Sequence, residues 1–597
     1  MTAHYTTIFI AGLMLCSSTT IVAQQPSKTK QNTGTGIDPT VEIVTDYEGK
    51  LLGADKIDIT YNANDSTIHP KIKFTYPFNT QGMQSRFSLE PISAISLATD
   101  NLLLSDTGYG YFRAGFMYPV APEADLYLHS QLSRESAVSI YLKHRSFWGK
   151  SPLYDQAPVT PLPIANEILS EHETTQAGVA LQHIYKQVAI SVKSEYKHRS
   201  LLYYGQDTLL LREDPGHAES SFVRNFMRQT FNIFKNDARI YTRNNSDKTF
   251  SFDLGAQFDY IRESAHRYGN RPIRQYTVGM DGFLNLKMNA YHAFNVQLFS
   301  QAYNRDNLTR QLSSGLFNAA PSYVFQNSVV KAAAGVKAEG IYDGHGLNYN
   351  FYPSLFFHYI TYNGLAIPYL EVSGGTTLNP YDKITAENPY VLPGLDVSNT
   401  RTRIEGEAGV KGKFSTIFAY CLKVSYAMID SMYFFVNSTE PINEGAGNTG
   451  ASILSNFDVE YDNISRITTS LELSAKYKNF DAMFFFNYNH YKLDTLENAW
   501  HKPNIEVGLQ ACYKWGSFIF TLNTFFRGKT PVLLPAFYGA DTAIKAYMNL
   551  GLTAEYRITE KISVFLQGNN LLHQHYQDYY LYYHPGVTVG GGLTVSF

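Results

Sequence analysis

From about Tyr109 to the carboxyl end, apolar and polar residues alternate one by one in long runs. Phe252, Leu254, Ala256, Phe258 and Tyr260 alternate with Asp253, Gly255, Gln257 and Asp259. Ile404, Ala408, Val410 and Phe414 are set against Arg403, Glu405, Glu407, Lys411 and Lys413. The same period returns at 420–428, 471–475, 505–511 and 548–556, and once more in Leu593, Val595 and Phe597. Period two places successive side chains on opposite faces of a strand. These runs reach the ~9–11 residues that a tilted strand needs to cross a bilayer, beyond the ~5–6 usual in soluble sheets. Water does not satisfy a free strand edge inside lipid, so such a sheet must close on itself. The expected fold is all-β: a transmembrane antiparallel β-barrel of about 16–20 strands.

Composition agrees. Charged residues make up 17% of the chain and net charge is −3, which excludes a nucleic-acid partner of the basic-patch kind. Beyond the amino end no apolar run approaches the ~18 residues of a membrane helix. Against only 3 Trp stand 45 Tyr and 38 Phe, enough for aromatic girdles at two interfaces. Tyr579-Tyr580 and Tyr582-Tyr583 read as girdle residues rather than as a glycan-stacking platform.

Residues 1–23 read as a signal peptide, with an apolar core over 8–16 and Ile21-Val22-Ala23 before Gln24. A polar linker follows over 24–40, then a segment over 41–105 expected in the periplasm or the lumen, and the barrel over 106–597. Leu15 is too bulky to make Cys16 a lipoprotein cysteine. Cys421 and Cys512, on polar positions of different strands, read as two isolated thiols. Short turns at 289–292, 477–480 and 559–561 contrast with long connections near 150–172, 206–220, 307–325, 379–400, 438–452 and 530–542. Short periplasmic turns and long outer loops are the expected asymmetry.

The ending Gly592-x-x-Val595-x-Phe597 resembles the insertion signal that the barrel assembly machinery reads. Asn569-Asn570-Leu571-Leu572, Tyr576, Pro585-Gly586 and Phe597 resemble the closing hairpin of TonB-dependent receptor barrels, with Val587 where those carry Arg. Tyr203-Tyr204-Gly205 and Asn388-Pro389-Tyr390 are similar to landmarks of plug-poor barrels of that kind from Bacteroidota. The resemblance implies an outer-membrane location, contact with lipid, and a fold shared with nutrient receptors. The 24–105 stretch is shorter than a receptor plug, so the expected role is a passive solute channel or the barrel subunit of an envelope complex with a periplasmic or lipoprotein partner. Energised uptake is the alternative, resting on Thr40–Val44 as a strand that pairs with TonB.

Asp253, Asp259, Arg403, Glu405, Glu407, Lys411 and Lys413 are the expected lumen charges. Such groups tune a pore, or pair across the wall and fill it. His573 and His575 share a face without a third ligand, so no metal is expected. No Gly-x-Ser-x-Gly and no His-Glu-x-x-His occurs, so neither a cofactor nor an enzymatic activity is expected.

Overall fold

A computed structural model describes residues 110–152, 167–205, 227–243, 249–265, 272–306, 311–344, 346–361, 365–415, 417–441, 452–534 and 542–597. The signal peptide, the linker, the 41–105 segment and the Thr40–Val44 motif lie outside them. Twenty-two strands among the described residues form one antiparallel sheet. The strand Gly110–Tyr118 pairs with its neighbour Ala121–Gln131 and also with the last strand, Thr588–Ser596, which closes the cylinder. No described helix is long and apolar enough to cross a membrane. The crossing is made by strands.

Alternation sets the two faces of the wall. On Phe250–Ala265, Leu254 and Phe258 are exposed on the outside. Leu422, Val424, Tyr426 and Met428 do the same on Phe418–Pro441, while Ala427 and Ile429 are buried on the inside. Among the described residues neither Cys421 nor Cys512 forms a disulfide.

The count exceeds the expected 16–20, and the excess lies between 307 and 366. The stretch expected as a loop at 307–325 is mostly a strand, Gln311–Gln326, followed by Val330–Tyr342 and Leu347–Tyr359. Ala332, Ala333, Ala334, Gly335, Ala338 and Gly340 fill the middle strand with small residues that blur its alternation. Their purpose is room for neighbours: a Cβ on Gly340 would lie 2.3 Å from the Phe317 ring.

Connections at the end that holds Gly110 and Phe597 are short, among them 132–135, 185–187, 288–291, 478–479 and 516–517. The opposite end carries the longest ones, 378–399 and 570–587 among them, beside a few short ones such as 119–120, and by the usual asymmetry it faces outward. One seam breaks the ladder. Leu347–Tyr359 pairs with Ile367–Thr377 only from Leu355↔Val372 to His358↔Tyr369. Two positions up, Pro353, which lacks an N–H, would oppose Gly374. Side chains from Val330–Tyr342 reach across instead: the Glu339 carboxylate accepts from the Thr376 N–H at 3.1 Å, and Lys337 Nζ donates to the Gly374 carbonyl at 3.1 Å. The strand so held leads directly into the longest described connection, 378–399.

Candidate functional site

Connection 378–399 does not extend into solvent. Pro380 (φ −64°) caps a seven-residue helix, Tyr381–Glu387, and supplies the torsion that a helix entry requires. Asn388, held extended before Pro389, stops it. The helix folds into the barrel mouth and is fixed from several sides. Tyr381, fully buried, donates its hydroxyl to the Glu263 carboxylate and accepts from the Gly394 N–H at 2.9 Å. Its own N–H donates to Gln275 Oε1 at 2.9 Å. Asp382 accepts from Gln275 at 3.2 Å and faces Lys235 at 3.5 Å. Further along, Asp396 pairs with Arg305 at 2.7 Å.

At the helix end, Glu387 pairs with Lys502 at 2.6 Å, both side chains almost fully buried. The Tyr433 hydroxyl donates to the same carboxylate at 2.5 Å, and the Tyr579 hydroxyl to the Glu387 carbonyl at 2.6 Å. Burial raises the Glu387 pKa, while the Lys502 ammonium and the Tyr433 hydroxyl are among the groups that lower it, and the carboxyl lies well below the usual range. Burial pushes the Lys383 ammonium down to about 8, against the pull of Glu387 and Asp382.

Two other outer connections meet this segment. The Tyr203 hydroxyl donates to the Val391 carbonyl at 2.9 Å, and Tyr204 to the Tyr583 carbonyl at 3.0 Å. Tyr390 and Tyr582 stack with centroids 3.5 Å apart. A Cβ on Gly205 would lie 2.5 Å from the Tyr582 ring, so the glycine of Tyr203-Tyr204-Gly205 makes that approach possible. Around them Phe231, Ile261, Ile273, Ile384, Phe435 and Phe457 form one buried apolar cluster drawn from many parts of the wall. Burial of side chains this size stabilises by about 1.5–3 kcal/mol each, so the segment is held by a core of its own. The last connection is pinned through Asp578, which accepts from Arg527 and from the Tyr547 hydroxyl at 2.6 Å each and lies 3.1 Å from His584.

The tyrosines at 579, 580, 582 and 583 are therefore not girdle residues. They are buried to 5% exposure or less inside the infolded mouth. Sequence periodicity missed this because the pairs sit in a connection, where facing is set by tertiary docking. The landmark triplets at 203–205 and 388–390 were visible, but their mutual contact was not.

The remaining candidates are placed as follows. Asp253 and Asp281 both bind Arg239, at 3.0 and 2.8 Å. Asp259 lies 3.8 Å from Lys235. Glu405 meets Arg466 at 3.4 Å, and Glu407 meets Lys423 at 3.6 Å and the Tyr369 hydroxyl at 2.8 Å. Arg403 falls at a register shift between Thr402 and Ile404, where alternation is interrupted, and binds Asp430 at 2.7 Å from an exposed position. Lys411 is buried and Lys413 exposed at the strand end. Gly592 packs where a Cβ would lie 2.0 Å from the Ala114 carbonyl; Val595 opposes Phe112 and Ile562; Phe597 exchanges backbone hydrogen bonds with Gly110. The His573 and His575 rings are 5.2 Å apart, and no group of three metal-ligating residues occurs among the described residues.

Solved structures share this architecture. The siderophore receptor PirA from Acinetobacter baumannii matches with a TM-score of 0.61 at 12% identity, covering 83% of this chain and 81% of that one. The fold is that of an outer-membrane receptor barrel. The FrpB iron transporter from Neisseria meningitidis (TM-score 0.60, 9% identity, 83% and 82% covered) is similar, as is a mutant ferric enterobactin receptor, PfeA, from Pseudomonas aeruginosa (0.57, 11%, 82% and 80%). No family model and no curated protein matches the chain.

Proposed function

We propose that this chain is an outer-membrane transport barrel of the TonB-dependent-receptor kind, shut at its outer mouth by its own connection 378–399 and importing solute when that connection moves. The observation that carries this is the docked segment: a buried aromatic core with a buried ion pair lies across the mouth from which solute would enter. A passive channel requires a mouth open at rest, so the infolding favours the gated reading. The neighbours of known structure are a siderophore receptor and iron transporters, which fits uptake of a scarce solute. In this reading the Thr40–Val44 strand is the contact for an energising partner, and Gly592, Val595 and Phe597 are read by the assembly machinery.

Planar-bilayer recording tests it. The full-length protein is expected to give no steady conductance, and a variant with 381–396 replaced by a Gly-Ser linker to give large steps. A wild-type protein already open at rest sinks the gated reading in favour of the passive channel. Deleting residues 40–46 is expected to abolish uptake in cells without changing barrel assembly.

A further inference from the structure

Most charges on the inner wall have a partner of opposite sign within 4 Å, as Arg239, Glu405 and Glu407 do. Near the end that holds the termini Lys331 and Lys411 have none among the described residues, and His358 between them has only Glu371, at 3.6 Å. Lys331, His358 and Tyr369 stand side by side on three neighbouring strands, paired Lys331↔His358 and His358↔Tyr369. Each lies on the inner face, because the residues beside them in sequence, Phe357 and Leu370 among them, are exposed outside. On the next strand Tyr369 faces Gly409, and its ring occupies the space that a Cβ there would need. That leaves Lys411, two residues on, beside the same ring.

Lys411 is only 5% exposed, and its ammonium lies 5.2 Å from the Tyr369 ring centroid. Lys331 lies 5.6 Å from the Phe356 ring. Among the described residues neither ammonium makes an ion pair or a hydrogen bond; each has an aromatic face instead. Between them His358 is 1% exposed, its ring 3.9 Å from Phe356 and 5.2 Å from Tyr369. Its Nε2 is 3.6 Å from Glu371 Oε1, too far for a hydrogen bond, and has no other hydrogen-bond partner among the described residues. Glu371 is the acid beside His358, and Glu407 is engaged by Lys423 and Tyr369.

Buried cations are ordinarily paired, and an aromatic face offsets only part of their lost hydration. Two ammoniums and an orphan imidazole nitrogen on one apolar floor are the donor set an oxyanion requires. We propose that Lys331, His358 and Lys411 form a binding site on the inner wall for a small oxyanion, carboxylate or phosphate. Tyr369 and Phe356 form its floor. The site stands whether or not the mouth is gated.

The test is direct binding to the full-length protein in detergent, by calorimetric titration with inorganic phosphate and, separately, with citrate at low ionic strength. Binding of either ligand is expected, weakened at least tenfold by Lys411→Gln and by Lys331→Gln. Lys561→Gln, which removes an exposed charge from a turn at the same end, is expected to leave it unchanged. Heat-modifiable gel mobility reports that each variant is a folded barrel. Absence of binding of both ligands at about 1 mM, or binding that survives both substitutions, overturns the site. A phosphate preference over citrate assigns the phosphate class, and the reverse assigns the carboxylate class; both support the site.

Discussion

Tyr390 and Tyr582 are 192 residues apart in sequence, yet their rings stack at 3.5 Å with an interplanar angle of 22°. The contact joins the connection that follows Ile367–Thr377 to the one that precedes the last strand. Stacked pairs contribute about 0.5–1.5 kcal/mol beyond their buried area. Tyr582→Ala is expected to remove both contributions and to free the mouth without disturbing the wall, where Tyr582 has no ladder partner. Bilayer recording is expected to show conductance steps that the wild type lacks, with unchanged heat-modifiable mobility.

The Glu387–Lys502 pair gives a second test. Removing one partner of a buried pair costs about 3–5 kcal/mol because the other charge is stranded, whereas replacing both with apolar residues is nearly neutral. Glu387→Gln or Lys502→Met alone is expected to loosen the segment, and Glu387→Met with Lys502→Met to restore closure. Limited proteolysis within 378–399 measures it: fast cleavage in both single variants and slow cleavage in the double one.

Acidity acts on the same segment with opposite limbs. The Glu387 carboxyl is depressed in the docked state, so its contribution is present above the free-carboxylate value of about 4.3 and is lost as pH falls through the docked value. Lys383, lowered by burial to about 8, binds fewer protons docked than free between there and the ordinary lysine value. Its charge therefore weighs against docking below about 8 and is relieved as pH rises further. Opening events are expected to be most frequent below pH ~4 and rarest near pH ~10. Lys383→Met is expected to flatten the alkaline limb alone.

Alternation made the cylinder legible because lipid outside and water inside impose opposite polarity on successive residues. Leu254 and Phe258 against Asp253 and Asp259 are enough to assign that stretch. Val330–Tyr342 was illegible for the same reason: its alanines and glycines satisfy both environments, and the strand count fell short there. The mouth was less readable still. Tyr381, Glu263 and Gln275 meet only in the folded chain, and nothing local in Tyr579–Tyr583 distinguishes a docked tyrosine from an interfacial one.

The seam between Leu347–Tyr359 and Ile367–Thr377 gives a further expectation. Glu339 there replaces a ladder acceptor for the Thr376 N–H, with its side chain fully buried and Lys337 at 3.6 Å. Glu339→Gln removes the charge that both contacts use; hydrogen bonds to charged groups contribute about 1.5–3 kcal/mol. Amide exchange over 374–377 is expected to accelerate roughly tenfold or more, by the usual 1.4 kcal/mol per decade, while exchange at 355–358 stays slow. Equal acceleration in both stretches would mean that the strand is held as one unit and that the side chains are not its upper latch.

Closure of the cylinder depends on small residues where the first and last strands meet. A Cβ at Gly592 would lie 2.0 Å from the Ala114 carbonyl and 2.5 Å from the Phe565 ring, and the backbone atom has no means of yielding. Overpacking a well-filled site costs about 1–3 kcal/mol, and here it also opposes the pairing of Ala114 with Leu593 and Gly115 with Gly592. Gly592→Leu is therefore expected to leave the two end strands unpaired. An unpaired edge is not tolerated in lipid, so the variant is expected to lose most of its heat-modifiable species and to accumulate as unfolded chain. Phe597→Tyr keeps the ring over Gly110 and the two backbone hydrogen bonds there, and is expected to assemble as the wild type does. If Gly592→Leu assembled normally while Phe597→Ala failed, recognition of the terminal aromatic rather than packing at the seam would govern closure.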